Sequence, residues 1–228
     1  MSFLIRVQLP DRPGMLGALA TALGNINADI LSVDVVERTG GMAIDDLVVE
    51  LPGGRLPDTL ITAAESVPGV EVDAVRPYSG GLDTHRELEL VEQVANDPDN
   101  GIAVFIQGVP RIIRAGWAVA FTVSGSMPHR IASSSAAPET KVVHLPWWPL
   151  ARATVMDGED AWVPEPWREM GTELAATPLG GPEQVLLVGR PGGPMFRAAE
   201  VARLSHLAGI VAAVLAEHRT TRRSSAAS

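Results

Sequence analysis

The chain has 228 residues, with 18 Lys and Arg against 27 Asp and Glu, a net charge of −9 and no cysteine. The cysteine count excludes a disulfide framework, a thiolate metal site and a catalytic thiol, and the acidic balance argues against a general nucleic-acid binder, which needs a basic face. A 46% hydrophobic content excludes a largely disordered chain, and the length suffices for one large domain or two small ones.

Met1 to Leu9 alternates apolar and polar residues, unlike a secretory leader. Gly101 to Val123 comes nearest to a membrane span but is broken by Pro110, Arg111 and Arg114. The expectation is a soluble, cytoplasmic protein with no membrane partner. The five histidines are scattered, none at a helical ligand spacing, so no metal and no cofactor are expected.

Composition divides the chain near residue 80. The first 80 residues carry 5 basic and 11 acidic side chains, a balance of −6, and the rest carry 13 and 16, a balance of −3. All five tryptophans lie in the second part. The turn-rich Tyr78-Ser79-Gly80-Gly81 marks the boundary. The expected organisation is a domain over 1–78, a linker over 79–84, a domain over 85–220 and a flexible tail over 221–228.

In the first part Phe3, Ile5, Val7 and Leu9 alternate with Leu4, Arg6 and Gln8, which predicts a strand. Asp11-Arg12-Pro13-Gly14 follows. Pro13 suits a first helical turn, and Asp11 is placed to cap it. Leu16, Leu19 and Leu23 predict a helix that ends at Gly24-Asn25. Strands over 30–37 and 42–51 flank Gly40-Gly41 as a hairpin. A helix over 57–67 and a strand over 70–75 complete a βαββαβ order, the ferredoxin-like arrangement of a four-stranded antiparallel sheet with two helices on one face. Asp45 and Asp46 are adjacent in the third strand and so point to opposite faces. Solvated or edge positions are expected for both.

Strand, Asp11-Arg12-Pro13-Gly14-Met15-Leu16, the second strand from Ile30, and Pro68-Gly69-Val70 before the last strand together resemble an ACT domain, over about residues 2–77. That family comprises small amino-acid-sensing modules of metabolic enzymes and regulators. The resemblance implies a ligand beside the first loop, at an interface between two such units in a homodimer. It carries the ligand-binding positions onto Asp11, Arg12, Pro13, Gly14, Met15 and Leu16, and onto Asp29 and Ile30 at the second strand. The chemistry agrees, since a glycine turn feeding a helix N-terminus offers free N–H groups to a carboxylate. Asp29 stands where amino-acid-binding members often have an amide. A purely structural, dimer-forming unit is the alternative; in it Asp11 only caps the helix and Asp29 is a solvated turn residue.

In the second part Leu82 to Ala95 is amphipathic, with Leu88, Val91 and Val94 or Ala95 on one side. Further helix is expected around Ile102, Phe105, Ile112 and Ile113, interrupted at Pro110. Strands are predicted over 117–123, 129–135 and 184–189, and a long helix over 196–218. The middle segment is left without elements. A last strand, a Gly-Arg turn and a helix opening Phe196-Arg197-Ala198-Ala199-Glu200 resemble a GAF domain, an α/β sandwich with a central antiparallel sheet and flanking helices. The resemblance implies a sensor of small molecules. A pocket would lie between the sheet and residues 125–180, where Trp147, Trp148, Trp162 and Trp167 either line it or belong to the core.

Three other signals do not hold. Pro146-Trp147-Trp148-Pro149 spells the name of a chromatin-reading module, but the chain is acidic and helices surround the site. Ser124-Gly125-Ser126 has no nucleophile elbow or evident base. Gly189 to Pro194 lacks the lysine end of a phosphate loop and reads as a connecting turn. The chain thus reads as a binding protein and not an enzyme: a regulatory, allosteric sensor with an amino acid as its partner. A ligand-free scaffold, or an enzyme with its site in residues 81–228, are the alternatives.

Overall fold

A computed structural model describes residues 1–78, 86–124, 127–142 and 144–226. The expected linker 79–84, Leu82 and the Gly125-Ser126 pair lie outside the described residues. The chain divides into two compact units, Met1–Asp83 and Thr84–Ser228.

The first unit runs β1 (Ser2–Pro10), α1 (Met15–Asn25), β2 (Asp29–Thr39), β3 (Met42–Glu50), α2 (Asp58–Glu65) and β4 (Glu71–Pro77). Its four strands pair antiparallel in the order β2-β3-β1-β4. This is the expected ferredoxin-like α+β arrangement. Thr39 pairs with Met42 across a two-residue turn whose Gly40 and Gly41 have φ of 60° and 79°. Both central residues need positive φ in such a turn, which is why two glycines fix this register. Phe3, Ile5, Val7 and Leu9 of β1 and Leu47 and Val49 of β3 form the core with Leu19, Leu23, Leu60 and Ala64 of the two helices.

Two expectations fail here. The buried stripe of α1 is Met15, Leu19 and Leu23, while Leu16 stays 39% exposed. The helix begins at Met15, so a spacing of four from that residue faces the sheet. Asp45 and Asp46 are neither solvated nor at an edge. β3 pairs on both sides, and the two side chains are 4% and 1% exposed. They do lie on opposite faces. Asp46 sits in register with Arg6, which donates from Nε to Oδ1 at 2.7 Å and from Nη2 to Oδ2 at 2.8 Å. Bidentate pairing is what permits two charges at such burial.

The second unit runs α3 (Arg86–Asn96), α4 (Gly101–Ile112), β5 (Trp117–Ser124), β6 (Met127–Ser133), β7 (Thr154–Met156), α5 (Glu165–Glu169), β8 (Glu173–Pro178), β9 (Gln184–Arg190) and α6 (Ala198–Ala226). The antiparallel order is β6-β5-β9-β8-β7. One face of the sheet packs on α3, α4 and α6 through Leu90, Phe105, Val109, Leu204, Ala208 and Val211. The other face, with Trp117, Val119 and Phe121 of β5, packs on Val142, Leu150, Val163 and Trp167. Strands β5, β8 and β9 are therefore buried on both sides and read as apolar runs instead of alternating.

In α3 the buried residues are Leu90 and Val94, with Val91 packed against the core; Val94 and Val91 lie on the expected side, whereas Leu88 is 69% exposed. Pro110 does not interrupt α4 but sits inside its last turn, where only one backbone hydrogen bond is forfeited. Helix α6 starts at Ala198, after Phe196, and continues to Ala226, through the stretch expected to be a tail. Ala198–Thr220 is long and apolar enough to cross a membrane by length and composition, and a third of it is buried. Val201, Leu204, Ala208, Val211 and Leu215 are the part that joins the core.

Candidate functional site

The loop after β1 carries most of the residues singled out from the sequence. Asp11, Arg12, Pro13 and Gly14 are exposed, and Met15 is buried under the helix. The Asp11 amide donates to Gly41 O at 2.8 Å, and the Arg12 amide to Pro10 O at 2.9 Å. These two bonds tie the loop to the end of β1 and to the β2–β3 turn. Gly14 is the cap residue of α1, at φ 92° and ψ −17°. A left-handed conformation here favours glycine.

The expected cap does not form. Gly14, the cap residue, has no side chain to bond the helix start, and Asp11 lies three residues before it. A cap must immediately precede the first turn for its oxygen to reach the N2 or N3 amide. Asp11 instead lies 3.8 Å from Arg38 Nε, with both side chains exposed. Among the described residues the start of α1 has no side-chain cap; its Met15 amide donates to Arg12 O at 3.3 Å, and the positive end of the helix dipole faces this loop.

Asp29 and Ile30 are not brought to this loop. Asp29 is exposed opposite Glu50, whereas the loop meets the end of the hairpin where Thr39 pairs with Met42. Eight residues of β3 separate the two ends, roughly 27 Å at about 3.4 Å per residue. Ile30 is half-buried against the core. One unit therefore cannot close a small ligand between its own Asp11 and Asp29.

The sequence reading passed over Asp45 as a site residue. It lies opposite Val7 of β1 and Val35 of β2, on the face that α1 and α2 cover. Its Oδ1 is buried and accepts no hydrogen bond from the described residues. Burial pushes this carboxyl up from its ordinary value; Arg38 draws it down, and Asp11 and Asp46 push it further up. An acid inside an otherwise apolar β-strand was the signal available in the sequence.

In the second unit, side chains from residues 142–167 pack on one face of the sheet. Trp117 and Trp167 pack at 4.7 Å between ring centroids, and Trp147 meets Trp162 edge-on at 5.4 Å. Trp167 is fully buried, so it belongs to the core and does not line a pocket. The indole N–H groups of Trp117, Trp147 and Trp167 have no acceptor among the described residues. A groove of about 690 Å³ lies beside α4, with Gln93, Gln107, Arg111, Ser134 and Ser135 on its walls. Gln107 and Ser135 are already joined there by two hydrogen bonds of 3.0 Å.

Phe196 and Glu200 have a structural role. Arg190 is fully buried and lies 3.9 Å from the centre of the Phe196 ring. It donates to Ile113 O, Arg114 O, Pro194 O and Glu200 Oε1 at 2.7 to 3.1 Å. Glu200 Oε2 accepts from the Arg197 amide at 2.9 Å, closing the start of α6. The fragment Phe-x-x-x-Glu is thus a clamp on a buried guanidinium.

No protein family matches this sequence, and no curated protein does. Among solved structures, the GAF domain of an Acinetobacter phosphoenolpyruvate-protein phosphotransferase is similar at 13% identity and a TM-score of 0.44, over 60% of this chain and 97% of that one. The GAF domain of the corresponding Coxiella burnetii protein gives the same four values. The ACT domain of a Chlorobium tepidum GTP pyrophosphokinase is similar at 18% identity and a TM-score of 0.27, over 33% of this chain and 95% of that one.

Proposed function

We propose that this chain is a regulatory sensor that acts by binding, not catalysis, in the cytoplasm. The first unit is an ACT-like module that binds a free amino acid at the open N-terminus of α1, in a homodimer. The second unit is a GAF-like module that responds to it. The observation that carries this reading is the uncapped first turn of α1 behind left-handed Gly14, in an exposed loop. Such a turn suits a carboxylate.

The dimer supplies what one unit lacks. β2 is an edge strand with Val33 and Val35 at 37% and 51% exposure. Two-fold antiparallel pairing of such edges sets the loop end of one copy beside the Asp29 end of the other. The −6 balance of the first 80 residues favours a neutral or basic amino acid over an acidic one. An effector preferring one dimer arrangement would shift its population.

Isothermal calorimetry of the full chain against each of the twenty amino acids tests the reading. Saturable heat with one or a few of them is expected. No heat with any, from folded protein, overturns it. The exposed valines also favour a second reading, a ligand-free structural dimer, which predicts a stable dimer and a flat calorimetric trace.

A further inference from the structure

The groove beside α4 belongs wholly to the second unit, and its chemistry is one-sided. Its walls carry Arg111 and no acidic side chain, in a chain of net charge −9. Gln107 and Arg111 stand four residues apart on α4, so they share one face of the helix, a turn apart. Gln107 is fixed to the segment after β6: its Nε2 donates to Ser135 Oγ and its Oε1 accepts from the Ser135 amide. That bridge sets the serine pair beside the Arg111 turn. Ser134 is buried, and its Oγ accepts from the Ala118 amide at 3.0 Å. Both hydroxyls are thus used as acceptors, and each keeps a proton to donate. Neither of those protons, nor the Arg111 guanidinium, nor the Gln93 side-chain amide has an acceptor among the described residues. The polar side of the groove is therefore rich in donors, and Val104 and Pro110 give it an apolar wall. Its volume is in the range that holds a small organic ligand.

We infer that this groove binds an organic anion. Arg111 and the Ser134 and Ser135 hydroxyls hold its phosphate or carboxylate end, and its body lies against Val104 and Pro110. A guanidinium is always charged, and its planar fork matches the oxygens of either group. A zwitterion would bring an ammonium group to a wall that has a cation and no acid, so the groove disfavours free amino acids. It is a second input, separate from the α1 loop, and does not rest on the amino-acid reading of the first unit.

The test is calorimetry of the full chain with three anions and their uncharged counterparts: AMP against adenosine, phenyl phosphate against phenol, and benzoate against benzamide. Saturable heat with at least one anion, and none with its counterpart, is expected. Whether the phosphates or benzoate bind tells a phosphate site from a carboxylate site. R111Q removes the charge at an exposed position, and circular dichroism checks the fold. For an anion that binds the wild type, R111Q is expected to weaken Kd about tenfold or more. Should R111Q not fold, S135A, also at an exposed position, reads the loss of the second donor. R152Q, exposed and outside the groove, leaves Kd unchanged. Binding within twofold of the wild type in R111Q, equal heat from the uncharged counterpart, or silence from all three anions overturns the inference. None of these outcomes bears on the amino-acid reading, whose probes all carry an ammonium group.

Discussion

Replacing Glu200 by alanine strands the buried guanidinium of Arg190. Arg190 is fully buried and Glu200 is 11% exposed, at 2.7 Å. Removing one partner of a buried ion pair typically costs about 3–5 kcal/mol. Three carbonyl oxygens still hold Arg190, at 2.8 to 3.1 Å, which reduces that figure. Loss of the bond from the Arg197 amide adds about 1 kcal/mol, the usual worth of a helix cap. The expected net is about 3 kcal/mol, or roughly 6–12 °C in the melting temperature of a unit of this size. E200Q, which keeps an acceptor for Arg197, is expected to lose less than E200A. In a double-mutant cycle, R190M with E200A should cost less than the sum of the single changes, because no charge is left buried. Chemical denaturation followed by tryptophan fluorescence reads the second unit. An E200A unfolding free energy within about 0.5 kcal/mol of the wild type would refute the claim that this pair clamps the start of α6.

Three further outcomes are expected. A Cβ at Gly189 would lie 2.1 Å from the Trp117 ring, which is buried, so G189A should lose more than about 3 kcal/mol or fail to accumulate as folded protein. D45N should raise the melting temperature near neutral pH, since it removes the charge of a buried carboxylate whose burial disfavours the ionised form. The folded carboxyl titrates above its unfolded value of about 3.9. The wild type therefore loses stability as pH rises from about 3.9 through the raised folded value, and the D45N gain should vanish below pH 3.9. A gain that persists undiminished at pH 3 contradicts this account. V35K places a charge on the free edge of β2, and light scattering should show the mass falling from dimer to monomer; a mass that stays dimeric removes that edge from the interface.

The first unit was largely legible because its signals are local. Gly40-Gly41 fixes a hairpin, and the period of β1 shows its core face. What the sequence hid depends on position within the sheet. Nothing in Asp45-Asp46 indicates that β3 is a central strand, so two acids read as solvated when both are buried. β7 and β8 were missed because they are short, and Leu174, Ala175 and Ala176 carry no alternation, being buried on both faces. The start of α1 was placed two residues early, at Pro13 instead of Met15, and its buried stripe was shifted from Met15 to Leu16. The loop residues of the site were legible as a motif. Their distance from Asp29 was not, since it follows from the register of three strands.

The tryptophan layer of the second unit has a spectroscopic consequence. Every indole of the chain lies beyond residue 80, and Trp117 and Trp167 are close enough to exchange excitation. Light at 295 nm therefore excites only the second unit. A ligand taken up at the Asp11 loop is invisible at that wavelength unless the two units are coupled. Any change in emission on adding an effector is then a direct record of communication between them, with no label attached.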